Sequence, residues 1–208
     1  MKPQPLNDHD RRVLETQLGR TPRGEIFVAA RCPYGEVEVV ATAPLLNGEE
    51  PFPTLYWLTC PLLKSEAGRL EAGDMRELLR ARLKDEGFAR ELKKAEAKYL
   101  EERREMARSL GMEKTEALFE GRNGVAGGPA GNLKCLHSHF AHWLARGSNP
   151  VGREMAARMP AVQKDKCTGT CPNCHCEERS DAAIFNNSEA PPVIASEAKQ
   201  SLNKGDSS

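Results

Sequence analysis

Aromatic residues make up only 5% of this 208-residue chain, and apolar residues of all kinds 39%. Neither figure suits a chain packed from end to end, and the mean hydropathy of −0.59 agrees. The expected organisation is one compact core, polar helices and a disordered tail. Net charge is missing too, with Lys+Arg and Asp+Glu at 30 each. That balance gives no electrostatic reason to expect nucleic acid or an anionic membrane as partner. No apolar run reaches the ~20 residues of a membrane span. The opening MKPQPLNDHDRR has no apolar centre, so no signal peptide is expected and the cytoplasm is the expected compartment. Seven cysteines should stay reduced there, as buried thiols, metal ligands or a reactive thiol. A phosphate loop is also lacking. GRNGVAGGPAGN (121–132) holds five glycines, but neither GxxxxGK[ST] nor a GxGxxG that opens a helix. It reads as a flexible or close-approach loop rather than a nucleotide cradle.

What is present begins with a short helix from Asp8 to Leu18, with Asp8 placed to cap it and Gly19 to stop it. EIFVAARC (25–32) and EVEVVATA (36–43) are strand-like, joined by CPYG as a hairpin. In the second, Val37, Val39 and Ala41 alternate with Glu38, Val40 and Thr42, so the two sets face opposite ways. TLYWLTC (54–60) is a third strand. These predict a three-stranded antiparallel sheet. Asp74 and Glu77 have the spacing of a capping box, and Met75, Leu78, Leu79 and Leu83 form a helical stripe. Phe88, Leu92, Ala95, Tyr99, Met106 and Leu110 continue at helical spacing to Gly111. This second helix is long, charged and thinly apolar: a solvated helix across the sheet, or a face for a protein partner. LKCLHSHFAHWLARG (133–147) predicts a helix capped by Asn132 and ended by Gly147, and a last short helix follows near 152–159.

The helix at 133–147 carries the densest chemistry. At 100° per residue, Leu133, Leu136, Phe140 and Leu144 share one face, and His137 falls on their side. Cys135, His139 and His142 lie within about 60° of each other on a different face. Neighbours three or four residues apart point together and can share a metal. Cys32 and Cys60 each close a strand directly before a proline, and a parallel return of the third strand would bring those ends together. Cys32, Cys60, Cys135 and His142, with His137 or His139 as alternates, make a tetrahedral zinc-type ligand set. Cysteine is also among the most buried residue types, so packing is the competing reading. A third reading makes Cys135 a nucleophile beside His139, favoured by the helix N-terminus. Arg20, Arg23 and Arg31 could hold an anion. Arg23, Arg31, Arg69 and Glu71 could together serve an anionic substrate.

The tail pulls the eye elsewhere. KCTGTCPNCHC (166–176) contains Cys167, Cys171 and Cys174 at the Cys-x3-Cys-x2-Cys spacing of radical iron–sulfur enzymes. In those enzymes the motif opens a large barrel, whereas here only 34 residues follow Cys174. Cys171-x2-Cys174 has no second pair to complete a zinc knuckle. Beyond about 177 the sequence is rich in Ser, Ala, Asn, Glu and Pro, without apolar periodicity. Such a segment is expected to be disordered.

Two resemblances sharpen these readings. LGRTPRGEIFVAARCPYG (18–35), PFPTLYWLTCPLL with SEAGRLEAGDMRE (51–77), and KCLHSHFAHWLARGSNPVG (134–152) resemble a bacterial family defined only as domain of unknown function 501, over about residues 8–160. The resemblance implies that the Cys60 position takes Cys or His, an exchange that zinc ligation tolerates. It also implies that Cys32, Cys135, His137 and His142 fall within the family's motifs. Some members are labelled as relatives of a septum-formation protein, which implies a partner in cell division. CHCEERSDAAI and VIASEAKQS resemble translated interspersed genomic repeats, so Cys174, His175 and Cys176 belong to an appended tail. The expectation is therefore one α+β domain over 8–160, a Cys-containing junction and disordered tail over 161–208, and a zinc site as the leading function. A metal-free interaction module and an enzyme acting on an anionic substrate are the alternatives.

Overall fold

The computed structural model describes residues 3–46 and 50–159. In chain order its elements are β1 (Gln4–Pro5), α1 (Asp8–Leu18), β2 (Ile26–Arg31), β3 (Val37–Thr42), β4 (Leu45–Leu46), β5 (Glu50–Pro51) and β6 (Tyr56–Leu58). Then come α2 (Pro61–Ala72), α3 (Met75–Arg82), α4 (Glu86–Ser109), two 3-10 turns, α5 (Leu136–Arg146) and α6 (Pro150–Ala156). The class is α+β, but the main sheet has four antiparallel strands rather than three, in the order β1-β2-β3-β6. The added strand, β1, pairs Gln4 with Val28 and Pro5 with Phe27. A two-residue edge strand carries no alternation to read, and its proline is tolerated only at an edge. The expected disordered tail, with Cys167, Cys171, Cys174, His175 and Cys176, lies outside the described residues.

The central hairpin is irregular. Val28 faces Val40, Ala30 faces Val39 and Arg31 faces Val37, so Ala29 and Glu38 are each passed over. Such bulges break the two-residue period. The alternation expected of Val37, Val39 and Ala41 therefore fails at Glu38. Val39 and Ala41 enter the large core with α2–α6, while Val37 joins Val40, Leu6 and Leu14 under α1. The cap of α1 is Asn7, not Asp8: its side chain accepts from the Asp10 amide (2.8 Å), and Asp10 accepts from the Asn7 amide (3.2 Å). Asp10 also takes both arms of Arg31, at 2.7 and 2.9 Å, which ties α1 to β2.

α2 is not among the helices expected from the sequence: Leu63 and Ala67 are its fully buried residues, and Leu62 and Leu70 pack on the core while part exposed, a short and weak stripe. Its start is marked instead by Pro61 at the first helical position, where a missing N–H costs nothing. The box expected of Asp74 and Glu77 does not form: Asp74 has helical backbone angles and its side chain makes no capping bond. Leu78 is 39% exposed while Met75 and Leu79 are buried, so the α3 stripe is narrower than expected. The sparse stripe of α4, from Phe88 through Leu92, Ala95 and Tyr99 to Met106, is fully spent in the core. Only its charged face is left for a partner. Among the described residues no helix is long and apolar enough to cross a membrane.

α5 and α6 meet at Gly152. A Cβ there would overlap the Cβ of Trp143 and stand 2.7 Å from the His139 carbonyl oxygen. A backbone obstacle cannot rotate away, so Gly152→Ala is expected to cost about 2–3 kcal/mol by overpacking. A urea melt should show a lower midpoint with an unchanged slope. An unshifted midpoint would mean that the two helices are not in backbone contact.

Candidate functional site

The site is built where α5 begins. Cys135 is the N-cap of α5, in place of the expected Asn132, and its backbone is extended (φ −138°, ψ 106°). Helical projection therefore does not apply to it, and the expected stripe of Cys135, His139 and His142 dissolves. Its thiol instead joins His137, one of the alternates, and Glu71 near the end of α2. Among the described residues these form the one group of three or more Cys, His, Asp or Glu whose ligand atoms all lie within 4.8 Å of one another.

Each member is held from outside. Glu71 Oε2 lies 2.8 Å from His137 Nδ1. Its Oε1 accepts from the Leu136 amide at 3.2 Å and from Arg76 Nη2 at 2.6 Å. Arg76 also donates to the Leu133 carbonyl at 2.7 Å, so one guanidinium joins α2, α3 and the segment leading into α5. His137 Nε2 faces the Lys64 carbonyl at 3.2 Å. Burial opposes ionisation of Cys135. Hydrogen bonds with His137 and with the Ser138 side chain and amide outweigh it and hold the thiol below its ordinary value. His137 is pushed up by its bond to Cys135, against the pull of burial and with help from Glu71. All three side chains are half-buried, so a small ligand can reach them from solvent.

The other expected ligands lie outside this group. Cys60 is buried as the N-cap of α2, where its side chain makes no capping bond. Cys32 is half-buried at the turn after β2, its amide bonded to the Glu36 carbonyl. The two strand ends do point the same way, but β3 lies between them, a separation of about 10 Å. His142 is seven residues beyond Cys135, or about 10 Å along the helix. Its ring is buried, stacked on Tyr56 and edge-on to Tyr99.

His139 and His142 serve a second network. Asn149 caps α6 by accepting from the amides of Val151 (3.0 Å) and Gly152 (3.2 Å). That leaves its amino group to face His139 Nδ1 and His142 Nδ1, both at 3.2 Å. Two acceptor nitrogens require both rings to be neutral, with the proton on Nε2. His139 Nε2 points to the Asn132 carbonyl at 3.4 Å, whereas His142 Nε2 is 3.8 Å from Glu102, too far for a hydrogen bond. Burial pushes His139 down to about 4 and His142 down to about 3.

Of the arginines expected to hold an anion, Arg31 is committed to Asp10. Arg20 and Arg23 are exposed. Arg69 pairs with Glu66 along α2. An open groove of about 320 Å³ lies elsewhere, between α3 and the glycine-rich loop, and Arg76, Arg80, Gly131 and Asn132 help to line it.

A family model described as "Protein of unknown function (DUF501)" matches residues 28–157, well over half of the chain. The chain belongs to that family. Neither a curated protein nor a solved structure matches it. The stretch that defines DUF501 here contains Glu71, Cys135 and His137 and omits β1 and α1. All three residues stand out in the sequence, but there Glu71 groups with the arginines of an anionic-substrate site and not with the metal ligands. The missing signal was the extended conformation at Cys135, which no periodicity encodes.

Proposed function

We propose that Glu71, Cys135 and His137 bind one zinc ion and leave its fourth position to water or substrate. The observation that carries this reading is the convergence of a thiol, an imidazole and a carboxylate within 4.8 Å. The surroundings fit. His137 can keep its Nε2 proton on the Lys64 carbonyl, at 3.2 Å, and turn Nδ1 toward the metal. Ligating histidines are commonly oriented by a carbonyl on the second nitrogen in this way. A depressed thiol is the form a metal needs. Three protein ligands at a half-buried position match zinc sites that activate water rather than closed structural sites, which have four. The domain is then a zinc-dependent enzyme of hydrolytic type. The direct test is metal analysis of anaerobically purified full-length protein. About one zinc per chain is expected, and none would sink the proposal.

A second reading rests on a different detail: without metal, both nitrogens of His137 face oxygens, which favours the imidazolium. Cys135 would then be a thiolate beside a cation at a helix N-terminus, the setting of a nucleophile. Alkylation separates the two. If zinc covers the thiol, chelation should speed iodoacetamide labelling of Cys135 at pH 7 by at least about tenfold, since only the thiolate unbound to metal reacts. Fast labelling that ignores the chelator would favour the nucleophile.

A further inference from the structure

We propose that the groove between α3 and residues 130–133 binds the oxyanion, a phosphate or a carboxylate, of the molecule acted on at the Glu71–Cys135–His137 centre. The capture of the anion stands on the groove alone, and only the role of its neighbour rests on the zinc reading. The groove's volume of about 320 Å³ is at the small end of ligand sites, right for a charged group rather than a whole cofactor. Arg76 and Arg80 are four residues apart on α3, so both face the same way. Two cations so placed repel each other unless an anion lies between them. Arg76 is partly neutralised by Glu71. Arg80 is exposed, and no carboxylate among the described residues pairs with it. Its planar fork suits two oxygens of one phosphate or carboxylate.

The opposite wall is fixed in place. The Gly131 amide donates to both oxygens of buried Glu96, at 2.8 and 2.9 Å, which fastens the loop to α4. The Asn132 carbonyl faces His139 of α5, and the Asn132 side chain packs beside Gly128, so this part of the wall is held from both sides. A wall anchored at both levels loses little freedom when a ligand arrives. Arg76 connects the groove to the chemistry, since the same guanidinium that lines it lies 2.6 Å from Glu71. Arg76 is thus the one side chain shared by the groove lining and the Glu71 group.

The test is calorimetric titration of the full chain with inorganic phosphate and, separately, with succinate. Each is run on protein as purified and after chelation, beside Arg80→Glu and Arg80→Lys. Arg80 is exposed, so both variants should fold, and circular dichroism checks this. The proposal expects one of the two anions to bind, Arg80→Glu to weaken it at least tenfold, Arg80→Lys to keep part of it, and metal content to stay unchanged. Phosphate or succinate as the preferred probe identifies the kind of oxyanion. Arg80-dependent binding that survives chelation supports the groove even if the zinc reading fails. Binding that vanishes on chelation and ignores Arg80→Glu places the anion on the metal and overturns the groove while the zinc reading stands. No binding of either anion to the wild type overturns it as well.

Discussion

Cys135→Ser protein, purified anaerobically beside the wild type, is expected to retain less than a tenth of its zinc. His137→Gln and Glu71→Gln should weaken the metal by more than about 100-fold each, because even outer-shell partners typically cost 10–100-fold. Glutamine at position 71 keeps an oxygen for the Leu136 amide and for Arg76, so the start of α5 should survive. The same measurement judges the ligand set read from sequence. Cys32→Ser and Cys60→Ser should keep their zinc, since those thiols lie outside the Glu71 group. His142→Gln should keep it too, although loss of a ring packed between Tyr56 and Tyr99 will lower stability. A full-length chain with Cys167, Cys171, Cys174 and Cys176 all changed to serine should also be unaffected. Zinc that survives Cys135→Ser but disappears with Cys32→Ser or with the tail substitutions would overturn the site.

Much of this was legible without coordinates, and the failures share one physical origin. Helices whose apolar residues keep helical spacing, sparsely in α4 and densely in α5, were readable because burial follows a single period. α2 was not, since only Leu63 and Ala67 are fully buried, Leu62 and Leu70 pack on the core while part exposed, and its start is marked by a proline rather than by a capping side chain. The hairpin was readable, but the bulge at Glu38 reversed Val37. The site followed the same rule. Cys135 and the histidines were conspicuous as residue types. Their grouping depended on one non-helical backbone angle at Cys135 and on where the unforeseen α2 delivers Glu71. Periodicity assigns faces within an element. It says nothing where a chain bends out of its element, and functional residues tend to be carried at such bends.

Asn149→Ala should be among the most damaging substitutions outside the metal group, at about 4 kcal/mol. Loss of the helix cap accounts for about 1 kcal/mol. Stranding two buried imidazole acceptors costs about 1–3 kcal/mol each. Asn149→Asp gives the sharper test, because aspartate caps a helix as well as asparagine does but cannot donate to either ring. In the wild type, burial holds both histidines below their unfolded value near 6.5. Their contribution is therefore whole above that value and is lost as the pH falls toward about 4 and about 3. In the Asn149→Asp variant a carboxylate would face both rings, and a histidine that gains an anionic partner is raised instead. The sign then reverses: stability is greatest when a ring is protonated and declines as the pH rises through the raised value. Urea midpoints measured from pH 8 to pH 5 should thus fall for the wild type and rise for Asn149→Asp. Parallel curves would mean that the Asn149 amide does not set the protonation of His139 and His142.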